Sequence, residues 1–461
     1  MKKVSRDAIL SGNLIKTLLV LSIPVVINSF LQTMYNLTDT YWLGKLGTDQ
    51  LAAINLVTPL QNLIINLGSG ITVAGSVLIS HYLGAKEDKG ARSMANQIFA
   101  CAVIFSVAFM TLCSGFAPLI IRWLGADPTA PLYGYAKTYL QLVMLDMPFL
   151  YTINMYTSIH QAEGDTLTPM LLNLMGIVIN LFADPFLMVK LDLGAAGAAL
   201  ATVFAKAVPA VIAFIALHNR KHLVYLDLKK LKFEREKLRQ IVTIGVPSAI
   251  GGSVQQLGFM ILSKSVFAYG TDAMAAYGIG NKVNGLISLP SSGIASAVSI
   301  VVGQNYGAGQ MQRAQKAVRF SATMVVAFLV VGGFILSRPV VSTSIVKIFS
   351  DDENVIAMAA DFLSIMALWC FANGVHDTAN AFFKGMGKTT VPMAVDISRL
   401  WVFRFGTLYF CEYVLHMGVR SIWYAVVVSN GIAALILLVL YASGVWKKWK
   451  PSVNRKKDLV K

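Results

Sequence analysis

Residues 163–170 read Glu-Gly-Asp-Thr-Leu-Thr-Pro-Met, and residues 386–393 read Met-Gly-Lys-Thr-Thr-Val-Pro-Met. Gly164 falls on Gly387 and Pro169-Met170 on Pro392-Met393, an offset of 223 residues. Working outward at that offset, Pro24 falls on Pro247, Gly47-Thr48-Asp49 on Gly270-Thr271-Asp272, and Gly84-Ala85 on Gly307-Ala308. No gap is needed across this stretch. Self-similarity at one fixed period makes each repeat a structural unit, so the fold follows from pairing two of them.

The medium in which the units fold is set by composition. Of 461 residues, 56% are hydrophobic and 13% charged, which is too apolar for a water-soluble globule. Apolar stretches long enough to cross a bilayer recur at about residues 14–42, 52–80, 94–121, 131–158, 166–189 and 194–217. Six more follow at about 240–268, 273–302, 317–337, 354–383, 389–414 and 420–445. The expected fold is an all-α integral membrane protein of twelve transmembrane helices. Six spans per repeat return the chain to its starting side, so the two six-helix lobes are parallel, with a pseudo-two-fold axis along the membrane normal. The expected division is an N-terminal lobe over 1–217, a basic linker over 218–239, a C-terminal lobe over 240–445 and a basic tail over 446–461.

A formal charge of +16 raises the question of nucleic acid, but the location of the charge answers it. Most Lys and Arg lie in the N-terminus, the even-numbered loops, the linker and the tail, which is the positive-inside pattern. Both termini are therefore expected in the cytoplasm, with no nucleic-acid partner. The linker segment 229–237 has the composition of a short amphipathic surface helix. Trp42, Trp123 and Trp423 at outer helix ends, and Trp446 and Trp449 at the last inner one, read as interfacial anchors. The four Cys are isolated, and no signal-peptide cleavage site follows the first apolar stretch. Gly68-Ser69-Gly70 and Gly75 lie inside a span without the Lys-Ser/Thr of a phosphate loop, so they read as helix-packing glycines.

Ionisable groups inside a bilayer cost several kcal/mol and mark ion or substrate pathways. Counting from the helix ends, Asp39 (span 1), Asn180 and Asp184 (span 5) and Thr202 (span 6) sit at similar depth in the outer half of the N-lobe. Asn180 and Asp184 share a helix face at i, i+4. Two carboxylates, an amide and a hydroxyl suit a small hard cation such as Na⁺. Crowded into a low-dielectric pocket, the same carboxylates can instead share a proton. The repeat places Leu262, Phe403 and Thr407 opposite Asp39, Asn180 and Asp184, so the C-lobe lacks this set. Lys206 is positioned to neutralise Asp39 or Asp184. Asp146, Tyr35, Asn36 and Arg404 are further candidate charge partners or substrate contacts, and Asp396 with Arg399 has ion-pair spacing. No nucleophile, base and orienter set and no His/Cys metal cluster is apparent, so an enzyme is not expected and no cofactor is implied.

These motifs, taken in order, resemble the multidrug and toxic compound extrusion (MATE) family over nearly the whole chain. The resemblance rests on Ile23-Pro24 with Asp39, on Leu83-Gly84-Ala85-Lys86, and on Glu163 to Pro169. It rests also on Gln304-Asn305-Tyr306-Gly307-Ala308 and on Lys384 to Lys388 ahead of Pro392. It implies two lobes around a cavity and an H⁺- or Na⁺-coupled antiporter of the bacterial cell membrane, monomeric, exporting amphiphilic, mostly cationic compounds. The family's N-lobe cation site carries over onto Asp39, Asn180, Asp184 and Thr202, as in the DinF-like branch. The C-lobe acids of NorM-like relatives are Gln255 and Asn373 here. The alternative within the superfamily is a flippase for a lipid-linked precursor. An aromatic and Met-rich cavity is expected to select substrates loosely.

Overall fold

In the computed structural model, which describes residues 3–220, 222–449 and 451, most of the described residues are helical. Much of the basic tail, together with Lys221 of the linker, lies outside the described residues. Nine continuous helical stretches are long and apolar enough to cross a membrane among the described residues: Leu14–Leu43, Thr48–Gly84, Asp88–Gly115, Leu167–Lys190, Gly194–Leu217, Thr271–Gly307, Met311–Leu336, Glu353–Gly385 and Arg420–Ala442. These are spans 1, 2, 3, 5, 6, 8, 9, 10 and 12. Span 7, Arg235–Phe267, opens on a charged turn. Spans 4 and 11 are composite. Span 4 joins Pro131–Val143 to Met147–Ala162 through a single 3-10 turn, Met144–Asp146, and span 11 joins Thr390–Ser398 to Phe405–Tyr413 through a π-helix, Arg399–Arg404.

Two compact units result, and two spans are divided between them. Among the described residues, the first unit holds 3–6 and 27–249, and the second holds 7–26 and 250–451. The N-terminal end of span 1 thus belongs with the second unit and the N-terminal end of span 7 with the first. Glycines make both placements possible. A Cβ on Gly70 of span 2 would collide with the carbonyl of Gly245, and one on Gly293 of span 8 would meet Val26 and the Ser22 carbonyl. Gly68 and Gly75 likewise give way to Tyr151 and Ser158, so the glycines of span 2 are packing devices.

In the first unit, span 2 packs against spans 3 and 4, and span 6 against spans 4 and 5. Span 6 starts at Gly194 with φ +53, where the Gln50 side chain accepts the Ala195 N–H at 2.8 Å. The linker does not form the expected amphipathic helix. A 3-10 turn, Leu228–Lys230, forms there, and residues from Arg235 onward enter span 7, while the backbone ahead of the turn is tied to the first unit. Asn96 exchanges two hydrogen bonds with Asp227, Arg92 donates to the Leu223 carbonyl at 2.9 Å, and Glu163 accepts from Val224 N at 2.6 Å.

In the second unit, span 10 is central, packing on spans 8, 9 and 12. Trp423 is no interfacial anchor: it is fully buried, its ring centroid 4.5 Å from that of Phe362 and parallel to Tyr277. Depth along a helix put it at the interface, but azimuth turns it inward. Trp446 is buried too, against Phe382, whereas Trp123 is exposed as an anchor should be.

Candidate functional site: an acidic pair beside a polar cavity in the N-lobe

Asp184 is the last α-helical residue of span 5. Pro185 has no N–H to continue the ladder, and the chain proceeds as a π-helix, Pro185–Lys190. That change of register leaves Asp184 and Asn180 buried, each 2% exposed. Across from them, span 1 presents Asp39, half-buried. The two carboxyls meet within hydrogen-bonding reach. Ionised carboxylates only accept hydrogen bonds, so such a contact calls for a proton or a cation between them. The Tyr35 hydroxyl meets that of Thr202, which also donates to the Ala198 carbonyl at 3.1 Å.

Both amide atoms of Asn180 and Oδ1 of Asp184 are buried and make no hydrogen bond of good geometry within the protein, although the Asn180 amide lies close to the Asp184 carboxyl. Each such group left unsatisfied costs about 1–3 kcal/mol. A small hydrated cation, or a proton with its water, would satisfy all three. The sequence set of Asp39, Asn180, Asp184 and Thr202 is therefore brought together by spans 1, 5 and 6.

Beside this pair lies a cavity of about 280 Å³. Its wall carries five carboxamides, Asn28, Gln32, Asn154, Asn173 and Asn180, with Tyr35, Thr202 and Lys206, and no methionine. The expected aromatic and Met-rich wall is not what lines this cavity. Carboxamides carry no charge and so escape a census of ionisable groups. Their clustering shows only when spans 1, 4 and 5 are placed side by side.

Lys206 takes a different partner from the one expected. Its ammonium is bonded to Asp146, which is fully buried, rather than to Asp39 or Asp184. The 3-10 break in span 4, just ahead of Pro148, delivers Asp146 to it. Tyr139, which the sequence reading missed, lies within electrostatic range of Asp39, Asp146 and Asp184. Asn36 is exposed, pairs with Gln32 at 3.4 Å and does not line the cavity. Arg404 lies in the other unit, buried, donating to Ser429 at 3.0 Å and Asn430 at 2.8 Å over the ring of Phe259.

The C-lobe counterpart of the acidic pair is closed. Leu262, opposite Asp39 in the repeat, is fully buried in an apolar cluster with Val266, Tyr277, Phe362 and Trp423. The two lobes share a scaffold but not the chemistry.

A family model described as MatE matches residues 24–186 and again residues 247–410, one match per repeat. The chain is 25% identical to the probable multidrug resistance protein YoeA of Bacillus subtilis over 435 residues, covering 92% of this chain and 93% of that protein. It is 23% identical to the multidrug export protein MepA of Staphylococcus aureus over 385 residues, covering 82% and 84%. In fold it is similar to an outward-facing multidrug resistance MATE family transporter of the MOP superfamily, with a TM-score of 0.88, 24% identity and coverage of 97% and 100%. Two family matches set on the two halves of a twelve-span helical chain show that it belongs to the MatE family of multidrug and toxic compound extrusion transporters.

Proposed function

We propose that this transporter is a cation-coupled antiporter that exports small amphiphilic compounds, with Asp39 and Asp184 as the coupling pair. One observation carries the reading: two carboxyls from different spans of the N-lobe face each other beside buried polar atoms and a cavity. Binding of H⁺ or Na⁺ neutralises the pair and relieves its repulsion. Release restores that repulsion, which biases spans 1 and 5 apart and changes the shape of the adjoining cavity. Substrate and ion thus bind at neighbouring positions, and each weakens the other's hold, which is what exchange by alternating access requires. Both termini lie in the cytoplasm of a bacterial cell on this reading, and one chain suffices for the cycle.

The test uses the protein reconstituted into vesicles, with a fluorescent amphiphilic cation as substrate. A proton gradient and a Na⁺ gradient are collapsed in turn. Transport should stop in one case only, and D39N should abolish it while the protein remains in the membrane. Wild-type uptake by D39N would remove Asp39 from the coupling role. Movement of a lipid-linked substrate without any efflux of the cation would select the flippase alternative.

A further inference from the structure

The cavity-lining positions Ile153, Asn154, Asn173 and Gly176 have counterparts in the second repeat. At the 223-residue offset they fall on His376, Asp377, Asp396 and Arg399. Around open space the N-lobe keeps these positions neutral. At the same place the C-lobe holds a charged cluster.

His376, 4% exposed, stands between two carboxylates. Its Nδ1 lies 3.2 Å from Asp377 Oδ1 and its Nε2 2.9 Å from Asp396 Oδ1. A neutral imidazole donates from one nitrogen and accepts at the other, whereas an ionised carboxylate can only accept. A ring flanked by carboxylates on both sides is satisfied on both sides only as the imidazolium. The remaining partners are consistent with ionised acids. Ser291 of span 8 donates to Asp377 Oδ2 at 2.8 Å, and Asn380 donates to Asp396 Oδ2 at 3.1 Å. Arg399 approaches Asp396 Oδ1 at 3.4 Å, and Lys384, two turns along span 10, acts on the same carboxylate.

Two acids are thus balanced by Arg399 and a protonated His376, with Lys384 at the rim. Spans 9 and 12 meet span 10 through Val325 and Leu329 on one side and Trp423 and Tyr441 on the other, with Arg319 of span 9 lying by the Tyr441 hydroxyl. Losing the ring proton would leave one of the two carboxylates facing a bare nitrogen lone pair, with only Arg399 and Lys384 to balance the pair of acids.

We propose that the C-lobe contains a second proton-binding site, the His376 imidazole held between Asp377 and Asp396, which takes up one proton independently of the Asp39 and Asp184 pair. The bound proton clamps span 11 to span 10 at Asp396, three residues ahead of the π-helical segment Arg399–Arg404. Its departure frees that segment to move.

The experiment is nitrogen-15 NMR of imidazole-labelled full-length protein in lipid nanodiscs. The His376 signals are assigned by their loss in His376→Gln. The expected result at pH 7.5 is a ring protonated on both nitrogens, with a titration curve that Asp39→Asn leaves unchanged. Asp396→Asn keeps the ring but removes one carboxylate, and should lower the ratio of doubly to singly protonated ring roughly tenfold, one unit on the pH axis. That variant also supplies the assignment if His376→Gln does not fold, because His376 is the ring bonded to Asp396. A singly protonated His376 at pH 7.5, or a titration that shifts with Asp39→Asn, would overturn the proposal. Transport by Asp39→Asn is a separate readout, so the coupling role of Asp39 and this site can fail independently.

Discussion

Lys206 and Asp146 form an ion pair whose acid is fully buried and whose ammonium is about three-quarters buried. A buried pair contributes little net stability, but removing one partner leaves the other uncompensated at a cost of about 3–5 kcal/mol. The acid is the more deeply buried, so losing its cation should do more harm than the reverse. K206M is expected to lower the unfolding temperature more than D146N, with the double variant K206M/D146N more stable than K206M. A double-mutant cycle by fluorescence-detected unfolding should give a coupling of about 1 kcal/mol or more, and additive effects would show that the pair is not energetically linked. The sequence made Asp39, Asp184 and Asp146 visible because acids inside a bilayer are costly wherever they face. It did not make the partner of Lys206 visible. Depth along a helix is one coordinate, and pairing also needs azimuth and the break in span 4. The same missing coordinate misplaced Trp423, which sits in the first turn of span 12 yet turns into the core. Asn28, Gln32, Asn154 and Asn173 escaped for a different reason: uncharged amides are tolerated singly, and only their convergence has meaning.

Helical interruptions position both polar clusters. In span 5 the π-helix begins at Pro185, next to Asp184, and in span 11 it begins at Arg399, next to the His376 cluster. The two do not coincide in the repeat, since residue 185 corresponds to 408. Each lobe has therefore set its irregular turn beside its own charged group. A π-turn widens the helix and re-aims the residues at its edge. Pro185→Ala restores the missing N–H, so span 5 can continue as regular α-helix. The expected outcome is an unchanged or raised unfolding temperature with transport reduced about tenfold, equivalent to about 1.4 kcal/mol of lost coupling or transition-state stabilisation. Full transport by P185A, measured beside thermal stability, would show that the π-turn has no part in positioning Asp184. The proline was legible, but the π-turns were not. Twelve apolar stretches at one offset establish twelve spans, whereas an extra residue in a turn changes neither hydropathy nor period.

For the molecule as a whole, one scaffold used twice carries opposite solutions at equivalent places. The first repeat keeps Asp39 beside a polar cavity, and the second buries Leu262 among Val266, Tyr277, Phe362 and Trp423. In the N-lobe the acidic pair stands beside open space that water or an ion can enter. In the C-lobe the corresponding place is packed with aromatic rings and offers a carboxylate no acid or amide to share an ion, only the Trp423 indole N–H. Exchanging the two residues should therefore give unequal results. D39L removes a half-buried acid and the repulsion it contributes, so the protein should accumulate and unfold at or above the wild-type temperature while losing ion-driven efflux. L262D places a carboxyl in a close-packed apolar cluster, at a cost of about 4 kcal/mol, and should lower the unfolding temperature or prevent accumulation. Its transport per folded molecule, if recovered, should gain no second ion dependence, because Phe403 and Thr407 supply no matching acid or amide. Size-exclusion profiles and vesicle efflux of the two variants measure both quantities. Equal destabilisation by D39L and L262D would mean that the lobes tolerate charge alike, and that the asymmetry of the repeat is not where coupling resides.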